Sequence, residues 1–110
     1  MVRWITSHAE YTEFRNPDFS LRTANFYVPV LIRMGDCAVG ITNSRKVGIA
    51  VRRNLLKRRI KAWFIQHHAL LPLDYRIVLS ARSGAGELSW QELSDQLQTI
   101  CQMLQKRKPA

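Results

Sequence analysis

The stretch Ala50-Val51-Arg52-Arg53-Asn54-Leu55-Leu56-Lys57-Arg58-Arg59-Ile60-Lys61-Ala62-Trp63-Phe64-Ile65-Gln66-His67-His68 decides how this chain is read. At helical periodicity, Leu56, Ile60, Trp63, Phe64 and His67 fall within a stripe roughly 100° wide, the width of a core-facing side. Opposite them, Asn54, Lys57, Arg58 and Lys61 recur at i, i+3, i+4 and i+7. The pattern predicts an amphipathic helix from about Ala50 to His68. One face fastens it to a domain and the other holds cations. Leu71-Pro72 closes it, because the residue before proline avoids the helical region.

Working outward from this helix, the flanks read as strands. Asn25 to Arg33 alternates, with Phe26, Val28, Val30 and Ile32 sharing one face. Pro29 has no N–H for a ladder, so this strand is expected at an edge or bulged there. Gly35-Asp36 makes a turn into a strand over Ala38–Asn43, with Val39 and Ile41 inward. Tyr75–Ala81 is the next strand, followed by a turn through Ser83-Gly84-Ala85-Gly86. Ser7-His8-Ala9-Glu10 and Ser89-Trp90-Gln91-Glu92 have the spacing of capping boxes and start two more helices. Tyr11 and Phe14 lie on one side of the first, which Asn16-Pro17 ends. Leu93, Leu97, Ile100, Cys101 and Leu104 form the stripe of the second. Its tail, Lys106-Arg107-Lys108-Pro109-Ala110, is expected to fray. No repeat or linker interrupts the chain, so residues 1–110 are expected to form a single domain of the α+β class, with helices packed on a small sheet.

The charge is concentrated. Seventeen Lys and Arg face eight Asp and Glu, a net +9, and the pI is about 10.4. Between Cys37 and Leu73 lie eight of the cations (Arg45, Lys46, Arg52, Arg53, Lys57, Arg58, Arg59 and Lys61) and no acid. A solvated helix face ordinarily interleaves both signs. An acid-free cationic face repels itself until a polyanion neutralises it, so the pattern points to nucleic acid. A basic amphipathic helix on a membrane surface is the weaker alternative, because the strands need its apolar face as core.

Enzyme chemistry is hard to find. The acids Glu10, Glu13, Asp18, Asp36, Asp74, Glu87, Glu92 and Asp95 form no recognisable metal motif, and Cys37 and Cys101 lack zinc spacing. His67 falls on the apolar stripe, where a hydrogen-bonded core histidine is the commoner case. Gly84-Ala85-Gly86 is too short for a phosphate loop. The N-terminus has no signal-peptide run and no segment has membrane-spanning length, so a cytoplasmic protein is expected. The residues describe a binder with no catalytic group and no metal site of its own. Folded RNA suits it better than DNA, since no helix-turn-helix, zinc finger or zipper accompanies the helix. Tyr11, Phe14, Phe19 and Phe26 are candidate stacking surfaces, although core packing is the commoner use of such residues.

From Val39 to Lys61 the chain resembles the signature of the bacterial ribonuclease P protein family, roughly V-G-x-x-V-S-K-K-V-G-x-A-V-x-R-N-x-x-K-R-x-x-R. Here it runs Val39-Gly40-Ile41-Thr42-Asn43-Ser44-Arg45-Lys46-Val47-Gly48-Ile49-Ala50-Val51-Arg52-Arg53-Asn54-Leu55-Leu56-Lys57-Arg58-Arg59-Ile60-Lys61. The likeness continues through Tyr75–Ala81, the Arg82-Ser83-Gly84-Ala85 turn and Leu88-Ser89, and is looser over the first third. It implies a small mixed four-stranded sheet with about three helices, in the order α-β-β-β-α-β-α. That is a ribosomal protein S5 domain 2-like fold with a left-handed βαβ crossover.

The resemblance also implies a function. The protein would be a subunit of a tRNA 5′-maturation endonuclease whose RNA subunit carries the chemistry with Mg²⁺. Its partners would be the catalytic RNA and precursor tRNA, with no membrane and no small-molecule substrate. Arg45, Lys46, Arg52, Arg53, Asn54, Lys57 and Arg58 match signature positions implied to contact RNA, and Lys61 stands where the family has Arg. Tyr11 and Phe14 take the place of an aromatic pair implied to line a cleft for the single-stranded 5′ leader. Asn43 stands in place of an apolar residue and Ile49 in place of a Lys. Another non-catalytic, ribosome-associated RNA-binding protein is the alternative reading.

Overall fold

The computed structural model describes residues 2–107. Its elements are β1 (Arg3–Trp4), α1 (His8–Thr12), β2 (Phe19–Arg22), β3 (Phe26–Ile32), β4 (Ala38–Asn43), α2 (Ala50–His67), β5 (Tyr75–Ala81) and α3 (Trp90–Lys106). The expected tail lies outside the described residues from Lys108 onward. The strands form one five-stranded sheet in the order β1-β4-β5-β3-β2. The α+β architecture is as expected, but the strand count is corrected from four to five. The added strand is β1, whose two residues pair in parallel with Ala38 and Val39 of β4. Two residues are too few to show any alternation.

Alternation along each strand sorts the core. Val39 and Ile41 of β4, Ile77, Leu79 and Ala81 of β5, and Phe26, Val28 and Val30 of β3 face one side. There they meet Leu56, Ile60, Trp63 and Phe64 of α2 and Leu93, Leu97, Ile100, Cys101 and Leu104 of α3. The other side carries a smaller cluster, in which Phe14 and Ile5 pack with Leu31, Ala38 and Val78 and Tyr11 leans against them. So α2 and α3 share one face of the sheet and α1 covers part of the other.

Pro29 corrects a second expectation. β3 is an interior strand, paired on both sides. Its register with β5 is the same before and after the proline (Tyr27 opposite Ser80, Val30 opposite Ile77), so there is no bulge. The pairing simply lapses over Val28 and Pro29, where the missing N–H would have donated. The Ser89 box forms in full, Ser89 Oγ accepting from Glu92 N and Glu92 Oε1 from Ser89 N. The Ser7 box forms by half. Ser7 Oγ accepts from Glu10 N at 3.2 Å, but the Glu10 carboxylate turns to the Arg3 guanidinium at 2.7 and 2.9 Å.

Far from α1, Gln96 of α3 ties down two turns. Its Oε1 accepts from Thr23 Oγ1 (2.7 Å) and Asn25 N (3.1 Å), and its Nε2 donates to Asn25 Oδ1 (2.9 Å). Asn25 Nδ2 in turn donates to the carbonyl of Ser83. Cys101 is fully buried on the α3 stripe, and burial pushes its thiol up to about 12, so it is an inert reduced side chain. No helix among the described residues is long and apolar enough to cross a membrane.

Candidate nucleic-acid interface

The face of α2 turned from the core is built by the loop before it. Ser44 Oγ accepts from Lys46 N and opens a single 3-10 turn over Arg45–Val47. Val47 is buried and pins that turn to the domain, which leaves Arg45 and Lys46 exposed. Gly48, at φ +140°, then turns the chain into the helix through a region that side chains rarely adopt.

Along α2 the expected cations divide. Arg52, Asn54, Lys57 and Arg58 are exposed and Arg53 is half-buried. Among the described residues Arg52 alone of these approaches an acid, Glu87 at 4.0 Å, and both side chains are open to water, so the pair is weak. Arg59 is taken into the fold, its Nη1 donating to the carbonyl of Leu88 at 3.2 Å. Lys61 folds sideways, its Nζ 5.5 Å from the centre of the Trp4 ring. Among the described residues, Arg45, Lys46, Arg53, Lys57, Arg58 and Lys61 have no ion pair. The outer face is not uniformly cationic, however. Val51 and Leu55 are exposed between the charges, and Ile65 is exposed beyond the last of them.

His67 takes the core role, its Nδ1 at 2.9 Å from the Trp63 carbonyl and its ring stacked on Trp63 at 4.4 Å. Asn43 holds the end of β4 to α2 by donating from Nδ2 to the carbonyl of Arg53 at 3.0 Å. Its Oδ1 is buried without a partner among the described residues.

On the sheet face away from α2, one register row crosses four strands: Thr42, Ser80, Tyr27 and Arg22 are successive partners. α1 covers the rows below it and leaves this row open. Between them runs a groove of about 440 Å³ whose lining includes His8, Tyr11, Phe14, Tyr27, Pro29 and Thr42. Tyr11 is half-buried on its wall. The Tyr11 hydroxyl accepts from Ile41 N and donates to the carbonyl of Ile5, both at 3.1 Å. Phe14 is 8% exposed and serves mainly as packing. Of the other aromatics, Phe26 is buried, and half-buried Phe19 lies edge-on to Tyr75.

The groove has a residue that the sequence reading passed over. Tyr27 is half-exposed, with the Arg22 and Arg82 guanidiniums 5.1 and 5.6 Å from its ring centre. The signal was present, since the alternation that buries Phe26 and Val28 turns Tyr27 to the opposite face. At the other end of α1, Arg3 and Arg76 hold Glu10, Glu13 and Asp36 in one ion-pair network. The Arg3 guanidinium holds the Glu10 carboxyl below its usual range, and Arg76 does the same to Asp36.

A cationic helix, its loop and an aromatic groove thus surround the end of one parallel β4-α2-β5 unit. The ribonuclease P family model matches residues 3–105. The chain belongs to the ribonuclease P protein family. It is 36% identical over 100 residues to the ribonuclease P protein component of Geobacter sp. (strain M21), covering 89% of this chain and 84% of that one. It is 30% identical over 94 residues to the component from Halalkalibacterium halodurans, covering 84% and 79%. The fold is that of ribonuclease P proteins from Thermotoga maritima (TM-score 0.82, 23% identity, 94% and 98% covered) and Staphylococcus aureus (TM-score 0.81, 24% identity, 94% and 95% covered).

Proposed function

We propose that this chain is the RNA-binding subunit of a ribonuclease P holoenzyme, gripping a catalytic RNA with α2 and the leader of precursor tRNA with the groove behind it. The observation that carries this reading is the unpaired, acid-free cation set Arg45, Lys46, Arg53, Lys57, Arg58 and Lys61. Such a set gains most from a polyanion, because each phosphate it neutralises releases condensed counterions. With Arg52 and Asn54 it forms the RNA-subunit contact. Tyr11, Phe14 and Tyr27 line the path of an unpaired leader, where aromatic faces stack on bases of any sequence.

The chemistry belongs to the RNA. Mg²⁺ is held by the RNA and the substrate, where it supplies charge stabilisation at the scissile phosphate. The protein's donors do not fit that ion. Glu10, Glu13 and Asp36, the acids around α1, are engaged by Arg3 and Arg76. The protein's part is to position the leader and lower the repulsion between two polyanions.

The test is reconstitution with the cognate RNA and assay of 5′ cleavage of precursor tRNA at low Mg²⁺. The expected result is cleavage stimulated by the protein, with RNA affinity falling about a thousandfold between roughly 50 and 200 mM salt if about six phosphates are neutralised. Absence of stimulation, or copurification with ribosomal RNA in place of one dominant structured RNA, would overturn the reading.

A further inference from the structure

We propose that the RNA face of α2 continues past Lys61 into a receptor for one unpaired nucleobase of the RNA subunit, walled by Trp4, Phe64, Ile65 and His68. The inference rests on the reading of α2 as the RNA-subunit contact. The hollow has a volume of about 400 Å³ and is also lined by Val2. Phe64 is fully buried and makes the floor, and Trp4 stands edge-on to it with ring centres 6.2 Å apart. Ile65, by contrast, is 69% exposed at the rim. An aliphatic side chain so placed adds nothing to the core.

Position identifies the occupant. Lys57, Lys61 and Ile65 follow one another at i+4, so Ile65 lies about 6 Å along the axis beyond Lys61 on the same side of the helix. Trp4 is a partition. On its far side a cleft of about 290 Å³ takes Lys57 and Lys61 together with Thr6 and Thr42. On its near side lies the apolar hollow. The Lys61 ammonium rests over the indole on the side of the cleft, across the ring from the hollow's lining. No acid lines either space among the described residues. An apolar slot with stacking rings, next to ammonium groups that no carboxylate neutralises, matches a nucleotide, with its base in the slot and its phosphate at Lys61. Single-stranded RNA is bound by that combination of stacking and backbone charge. An apolar peptide would leave both lysines unanswered.

The test measures affinity for the cognate ribonuclease P RNA. Trp4→Ala also removes packing from the β1 edge, so the main variant is Ile65→Glu, at an exposed position the fold does not need. The expected loss is about tenfold, the worth of one base stack. Leu73→Glu adds the same charge at a site 72% exposed and should leave the affinity unchanged. A photo-crosslinking residue placed at Ile65 should mark a single unpaired nucleotide of that RNA. Equal affinities of Ile65→Glu and Leu73→Glu, or crosslinks confined to paired regions, would overturn the proposal. It would also fall if Ile65→Glu abolished self-association while leaving RNA binding intact, since the hollow would then receive protein. A wild-type protein that ignored this RNA would instead refute the function proposed above.

Discussion

Tyr11 lies so close to Gly40 that a methyl group added at Gly40 would stand 2.8 Å from Tyr11 Cε1. The ring cannot swing aside freely, because its hydroxyl bridges Ile41 N and the carbonyl of Ile5. Gly40→Ala should therefore destabilise the protein by about 1–3 kcal/mol through overpacking. Tyr11→Phe leaves the Ile41 N–H without that partner and should cost about 1–3 kcal/mol. Denaturant titration measures both, and an unchanged midpoint for either variant would show that α1 is not seated by this contact.

The two faces of α2 should separate cleanly by mutation. Phe64→Ala empties a fully buried site and should cost about 3–5 kcal/mol. Lys57→Ala and Arg58→Ala should shift stability by no more than about 0.5 kcal/mol. Each should weaken RNA binding and reduce the salt slope by about one. Thermal melts and filter binding at graded salt give both readouts.

Tyr27 should matter only when a leader is present. Tyr27→Ala is expected to weaken binding of leader-bearing precursor tRNA by about tenfold, a typical loss for one stacked base. Binding of mature tRNA should not change. An equal loss for both RNAs would mean that the ring serves packing alone.

The network around α1 sets an acid limit. Glu10 and Asp36 titrate below their ordinary range because of Arg3 and Arg76. Folded values lower than unfolded ones mean that this stabilisation is complete above about pH 5 and is lost as pH falls through the folded values. Melting temperatures followed from neutral pH to about pH 3 should fall more steeply for the wild type than for Arg76→Met. Parallel curves would show that the ion pairs contribute nothing.

Asn43 is a site where the chain can be improved. Its Oδ1 is buried without a partner among the described residues, a cost that an apolar side chain of similar shape avoids. Asn43→Val should raise stability by about 1 kcal/mol, or roughly 4–8 °C in Tm. A fall in Tm would give the greater weight to its hydrogen bond with the Arg53 carbonyl.

What could be read in advance followed from periodicity. Eighteen residues of α2 carry enough turns for Leu56, Ile60, Trp63 and Phe64 to declare a face, and all four are buried. The alternation of β3 likewise placed Phe26, Val28 and Val30 correctly. The failures have separate causes. β1 is two residues long, and its existence depends on β4 lying open beside it. Pro29 is tolerated in mid-sheet because β2 pairs Tyr27 to Val30 across the gap on the other side, a fact of strand order that no local pattern carries. The groove row of Thr42, Ser80, Tyr27 and Arg22 gathers residues from four strands, each unremarkable in its own segment. Glu10 looked like half of a capping box until Arg3 and Arg76 were found to claim its carboxylate.

The grip of Gln96 on Thr23 and Asn25 spans sequence separations of 73 and 71 residues. Those residues form the turn just beyond Arg22, and Asn25 also holds Ser83, next to Arg82. The rim of the groove is therefore set by the last helix of the chain, the same helix whose Leu93, Leu97, Ile100, Cys101 and Leu104 pack with α2 in the core. During synthesis on the ribosome, neither surface is complete until α3 emerges, so the outer face of α2 and the groove are finished together.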